Sequence, residues 1–179
     1  NNRTGRSKKA IEAAPPPDVT DVCSPVFLTA FRTFMKEEAH AGHVLECYLA
    51  CIAYKERPSY HGLEDLQTRF ITKNGSHEIG VAIKDADLVA EALARGYRNE
   101  MTEPPRQLLH NLENELQIRL GRHVRNFRRS DVFRSEINSR AGRLWRILKL
   151  CENTHSKAEE FQNKVLDTLF DVVDYHVVK

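Results

Sequence analysis

Six apolar residues, Leu109, Leu112, Leu116, Leu120, Val124 and Phe127, recur every three or four positions. That is the period of a helix with one buried face. A stripe sustained for about five turns must be covered by other helices, since nothing short can bury it. The rest of the chain supplies them. Ser24-Pro25 reads as an N-cap and first-turn proline, with Phe27, Phe31, Phe34 and Met35 on the face that follows. Val44, Leu45, Tyr48, Leu49 and Ile52 form a second face, closed by Pro58. Leu63, Leu66, Phe70 and Ile71 form a third, broken by Asn74-Gly75. Leu88, Val89, Ala92 and Leu93 follow, capped by Asp85 or Asp87 and ended by Gly96. The long helix is expected to start near Pro104-Pro105. Another restarts at Ser130 or Asp131 with Val132, Phe133 and Ile137, and Gly142 punctuates it. One more runs from 144 to 151, and a last carries Phe161, Val165, Leu166, Leu169, Val172 and Val173. Only residues 77–83, HEIGVAI, have strand character. They have no partner strand, so a loop pinning two aliphatics into the core is expected.

The fold class this predicts is all-α, a bundle of about eight to nine helices with a C-terminal helical extension. Residues 1–20, basic and then proline-rich, are expected to be a flexible linker. Residues 21–141 form the main domain, and 142–179 supply C-terminal helices that pack on the bundle or extend it. The 179 residues suit this size, with 41% apolar residues to fill a core and 29% charged residues for a wet surface. No window is apolar enough for a membrane span. The opening residues lack the apolar core of a signal peptide, and the chain reads as a piece of a longer protein.

Cysteines stand at 23, 47, 51 and 151, with no C-x-x-C pair. Cys47 and Cys51 fall on one helix with parallel Cβ vectors, a poor geometry for a disulfide. Reduced thiols and a cytoplasmic setting follow. His40, His43, Cys47 and Cys51 lie roughly on one helical stripe. Four ligands on a straight helix cannot converge on a tetrahedral ion, so the thiols are read as small core residues and no metal or cofactor is expected. Nucleotide-binding glycine loops, the G-x-S-x-G elbow and H-E-x-x-H are all missing.

Charge is uneven. The net charge is +2, yet residues 106–149 hold eleven basic residues against four acidic ones. Arg122, Arg125 and Arg129, flanked by Arg119 and Arg128, fall opposite the apolar stripe. Such a face suits phosphates, anionic lipid or an acidic peptide, or simply solvent. Nucleic acid is not expected, because the chain as a whole is not basic and no aromatic interleaves the arginines. Trp145 is expected to anchor the C-terminal helices.

The runs FLTAFRTFMKEE, LECYLACIAYK, LEDLQTRFI, HEIGV and VRNFRRSDVFRSEI, in this order over about residues 25–137, resemble the regulator of G-protein signalling (RGS) homology domain. Tyr48, Ala50, Cys51, Tyr54 and Lys55 stand at matching places, as do Phe34-Met35-Lys36, Glu78-Ile79, Phe127 and Ser130. The resemblance implies a non-enzymatic partner of a Gα subunit. Family members brace the switch loops of Gα, which carries its own arginine and glutamine. The positions that implies for partner contact are His43, Val44, Gly80, Ile118, Arg122 and Asn126. The family's Glu-Asn pair becomes His43 and Val44, its loop Asn becomes Gly80, its late Leu and Asp become Ile118 and Arg122, and its Arg becomes Asn126. Each lost polar contact in such a site costs roughly 1–3 kcal/mol. The FRTFMKEE run is similar to that of axin, whose domain resembles a scaffold's peptide-binding module.

These substitutions predict an RGS-homology interaction domain of a signalling or scaffold protein, with weak or no GTPase-accelerating activity. Its partner is then a Gα subunit or a scaffold-protein peptide. One alternative is a working GTPase activator with non-standard contacts. Another is anionic lipid or phosphopeptide binding through Arg119, Arg122, Arg125 and Arg129, at the inner face of the plasma membrane. Leu144, Trp145, Leu148 and the apolar residues from Phe161 onward are expected to complete a subdomain formed by the chain ends.

Overall fold

The stripe predicted for the long helix is the one the molecule buries. In the computed structural model, which describes residues 16–73, 75 and 77–153, Leu109, Leu112, Leu116, Leu120, Val124 and Phe127 are all buried. The described residues form eight α-helices and no strand. They are α1 Val19–Val22, α2 Leu28–Glu37, α3 Gly42–Glu56, α4 Tyr60–Leu66, α5 Ile83–Tyr97, α6 His110–Phe127, α7 Asp131–Asn138 and α8 Arg140–Asn153. A π-helical turn, Gln67–Ile71, continues directly from α4. The fold is thus all-α, as the periodicity requires. The described residues fall into two compact units: residues 31–127, and the chain ends, 16–30 with 128–153.

In the unit of residues 31–127, α3 packs along α6. Phe31, Met35, Leu45, Leu63, Phe70 and Leu93 join the α6 stripe in the core. At the C-terminal end of α6 the Phe127 ring meets Phe31 at 5.1 Å and Phe34 at 5.4 Å between centroids. Two tyrosines pin the irregular segment that precedes α6. Tyr54 donates to the Pro105 carbonyl at 2.9 Å and Tyr60 to that of Met101 at 3.2 Å.

In the unit of the chain ends, Asp18 caps α1. The Asp21 amide donates to its carboxylate at 2.9 Å, and the Asp18 amide donates back to Asp21 at 3.1 Å. This reciprocal capping satisfies two helix-end donors. Phe27 is fully buried and meets the edge of Trp145 at 5.0 Å and Phe133 at 5.9 Å. Lys149 pairs with Asp21 at 3.0 Å. Ser130 caps α7 by accepting from the Phe133 amide at 3.2 Å.

Several boundaries differ from the sequence reading. The linker expected through residue 20 gives way to structure earlier, because Asp18 and Asp21 stabilise a helical turn and Val19 is buried. α2 starts at Leu28 rather than at Ser24-Pro25, since residues 24–27 form a turn whose Ser24 carbonyl accepts from Phe27 and Leu28. α5 starts at Ile83 with no side-chain cap, so Asp85 is a first-turn acid rather than the N-cap. α6 starts at His110, not near Pro104, because turns occupy residues 106–109. Gly142 does not break a helix. It lies inside α8, where a Cβ would press on the Glu136 carbonyl and lie 2.7 Å from Ile137 Cα, so α7 and α8 approach backbone to backbone. Leu148, expected in the core, is 45% exposed. The helix expected from Phe161 to Val173 lies outside the described residues.

Candidate docking surface

One ion pair sets the register of the α3–α6 pair. Lys55, late in α3, pairs with Glu113, early in α6, at 3.0 Å. The helices are therefore antiparallel. Stepping back about 18 Å along α3 reaches His43, and the same step forward along α6 reaches Arg125 and Asn126. The aromatic contacts agree: Phe34 touches Phe127, and Gly42 sits against Lys36 at the α2–α3 turn. His43 and Asn126 thus belong to one end of the helical pair.

Gly80 reaches the same helix by another route. After the π-helical turn the chain folds back, with the His77 amide donating to the Arg69 carbonyl at 3.0 Å and the Ile79 amide to that of Phe70 at 3.1 Å. Ile79 is buried and Val81 half-buried, so one of the loop's two central aliphatics enters the core fully. Arg119 on α6 then holds the loop from outside. Its guanidinium donates to the Ile79 carbonyl at 2.7 Å and the Gly80 carbonyl at 3.2 Å, and it pairs with Glu115 one turn earlier. Gly80 sits at φ 64°, a left-handed conformation that glycine adopts freely.

The sequence positions therefore divide. Gly80, Arg122 and Asn126 are exposed, His43 is half-buried, and Ile118 is 69% exposed beside Arg122 on α6. Val44 is buried, so its side chain serves the core and offers nothing to a partner. The four-arginine face also changes. Arg119 is spent inside the molecule on two carbonyls and Glu115. α6 ends at Phe127, so Arg129 no longer follows the helical spacing that joined it to Arg122 and Arg125. Arg122 and Arg125 remain exposed on one stripe with Ile118. Partial burial holds the His123 imidazole below its ordinary pKa, which favours its neutral form.

Cys47 and Cys51 are buried free thiols. Hydrogen bonding to Cys47, then burial, pushes the Cys51 pKa strongly upward, which disfavours the thiolate that metals and electrophiles need. His40 lies in the α2–α3 turn at φ 49°. Among the described residues no group of three or more His, Cys, Asp or Glu side chains is set to share an ion, and no helix is long and apolar enough to cross a membrane.

Two features escaped the sequence reading. One is the inward use of Arg119, for which the Glu115–Arg119 spacing of four was the available signal. The other is a cleft of about 410 Å³ beside the Gly80 loop, between the π-helical turn and α5. No pattern along the chain marks it, because its walls come from three segments. Arg119→Met should loosen the loop without melting the core. Hydrogen exchange at the His77 and Ile79 amides is expected to accelerate about ten- to hundred-fold, matching the loss of charge-assisted bonds of about 1.5–3 kcal/mol. Amides of α6 should keep their protection, and unchanged loop exchange would show that Arg119 does not hold the segment.

The chain matches no family model and no curated protein.

Proposed function

We propose that this chain is an RGS-homology interaction domain of a signalling or scaffold protein, acting in the cytoplasm, with little or no GTPase-accelerating activity. The observation that carries the reading is a convergence on α6. Its C-terminal end shares a level with His43, and Arg119 fastens the Gly80 loop to it. The resemblance assigns partner contact to just these three segments. What they present is poor at gripping a nucleotide switch. Gly80 has no side chain, Arg122 carries a positive charge where the family has an acid, and Asn126 carries none where the family has an arginine. Bracing a switch loop requires preorganised polar groups aimed at it, and few are on offer here.

Lipid binding through the arginine face draws less support, since only Arg122 and Arg125 of its four members remain exposed together on α6. Single-turnover GTP hydrolysis across a panel of Gα subunits tests the main reading. The parent chain is expected to leave the hydrolysis rate within about two-fold of that of Gα alone, whose own arginine already acts in cis. A pull-down on aluminium-fluoride-activated Gα, with Arg122→Asp beside the parent, asks whether restoring the acid restores binding. Strong acceleration by the parent would replace this reading with that of a working activator.

A further inference from the structure

Three features on one face of α6 have no cause inside the molecule. Ile118, at 69%, is the most exposed large apolar side chain among the described residues. Gly121 stands three residues on, in the interior of the helix, where glycine weakens helical structure. A Cβ there would meet nothing within 4 Å, so no neighbour in the fold requires its absence. Gly96 and Gly142 differ, since a Cβ at either would press on Tyr60 or on Ile137. Arg122 and Arg125 are exposed and, among the described residues, pair with no carboxylate. Arg32, Arg69, Arg95 and Arg98 of the same unit all do. Both acids of α6 are engaged elsewhere, Glu113 with Lys55 and Glu115 with Arg119. The helix dipole favours a cation at Arg125, in the last turn, but fades before Arg122.

We propose that this face receives an acidic amphipathic helix of a partner protein. One of its aliphatic side chains packs on Ile118, two of its carboxylates pair with Arg122 and Arg125, and its backbone comes close over Gly121. Charge sets the sign of the partner, because two unneutralised guanidiniums repel basic segments and bind carboxylates. Spacing sets its conformation. Ile118, Arg122 and Arg125 advance about 6 Å and then about 4.5 Å along the axis. The four- and three-residue steps of a second helix match both intervals, whereas same-side residues of a strand recur evenly at about 6.8 Å. A membrane fits less well. An inserting face needs a broad apolar stripe, while Asn114 and Gln117 beside Ile118 are exposed and polar. The inference rests on reading the chain as an interaction domain and names the chemistry of its partner. The two fail separately: acceleration of GTP hydrolysis by the parent overturns the proposed function, and a peptide titration decides this contact.

The test titrates a fluorescein-labelled, alanine-rich helical peptide with the whole chain and reads anisotropy. One peptide carries Leu, Glu and Glu at positions i, i+4 and i+7, and a second carries them in reverse order, for the two helix directions. One of the two is expected to bind with a Kd below about 1 mM and to weaken at least about ten-fold between about 0.05 M and about 0.5 M salt. Arg122→Glu with Arg125→Glu, both at exposed positions, should weaken binding at least about ten-fold. A peptide with lysines for the glutamates should bind this double variant at least about ten-fold tighter than it binds the parent, which a chain with a damaged fold cannot do. Gly121→Ala should melt no lower than the parent yet bind the acidic peptide several-fold more weakly. The proposal is overturned if neither acidic peptide binds, if the double reversal leaves binding unchanged, or if the lysine peptide does not recover it. Phosphatidylserine vesicles that hold the parent but not the double variant, with no peptide bound, would overturn it in favour of a membrane. Self-association of the parent that the double reversal abolishes, again with no peptide bound, would overturn it in favour of a second copy.

Discussion

Phe127→Ala is expected to lower the melting temperature by about 6–20 °C, one of the two largest effects of any change considered for this chain. Phe127 is fully buried at the last turn of α6. Its ring lies 5.1 Å from that of Phe31, at a 59° tilt, and 5.4 Å from that of Phe34, at 54°. Tilted packing lets the edge of one ring meet the face of the next, worth about 0.5–1.5 kcal/mol per pair beyond burial. Truncating a buried phenylalanine costs about 3–5 kcal/mol, because the cavity left behind collapses only in part. At about 2–4 °C per kcal/mol for a chain of this size, the expected shift follows. The same end of α6 bears Asn126, so the variant should also disturb the surface next to it. Asn126→Ala, on an exposed position, should leave the melting temperature within about 2 °C, since such surface changes stay near ±0.5 kcal/mol. Equal melting temperatures for Phe127→Ala and the parent would mean that the aromatic cluster does not hold α2 against α6.

What the sequence carried was periodicity. Each of the six residues read as the long helix's apolar face is buried, five of them in α6 and Leu109 in the turn before it, and so are Phe27, Phe31, Phe34 and Met35. Such stripes are legible because 3.6-residue spacing forces one side of a helix to share one environment. Helix starts were less legible. Asp85 is chemically suited to cap α5, yet the chain begins helical geometry two residues before it, because the Ala82 carbonyl already accepts from the Asp85 and Ala86 amides. Gly142 read as punctuation because glycine breaks helices and also permits close packing, and only the facing backbone of α7 decides between the two. Arg119 shows the same limit for function. An arginine on the polar side of a helix looks like a free cation until a loop forty residues away in sequence is seen to place two carbonyls on it. The cleft is the extreme case, with walls drawn from the π-helical turn, the Gly80 loop and α5. Local pattern predicts which face is buried, while the docking surface depends on which loops the buried faces bring together.

Ending the chain after Arg140 should cost more than Phe127→Ala in the unit built from the chain ends. That cut removes α8 and with it Trp145, which is buried against the fully buried Phe27. It also removes Lys149, whose ammonium pairs with Asp21, the residue that completes the cap of α1. A chain ending at Asn153 keeps all of these, so comparing the two truncations isolates the contribution of α8. The shorter chain is expected to melt at least about 10 °C below the longer one, since losing a buried tryptophan alone costs about 3–5 kcal/mol. Point variants divide the effect further. Trp145→Ala should account for most of it, whereas Leu148→Ala, at a side chain 45% exposed, should shift the melting temperature by no more than about 2 °C. Trp145 is the chain's single tryptophan, so its fluorescence reports on this unit. In the chain ending at Asn153 its emission should redden at the same temperature at which circular dichroism records the loss of helix. Red-shifted emission in the native chain would mean that α8 leaves Phe27 uncovered. In that case α1, α7 and the start of α2 would need another apolar partner to close their core.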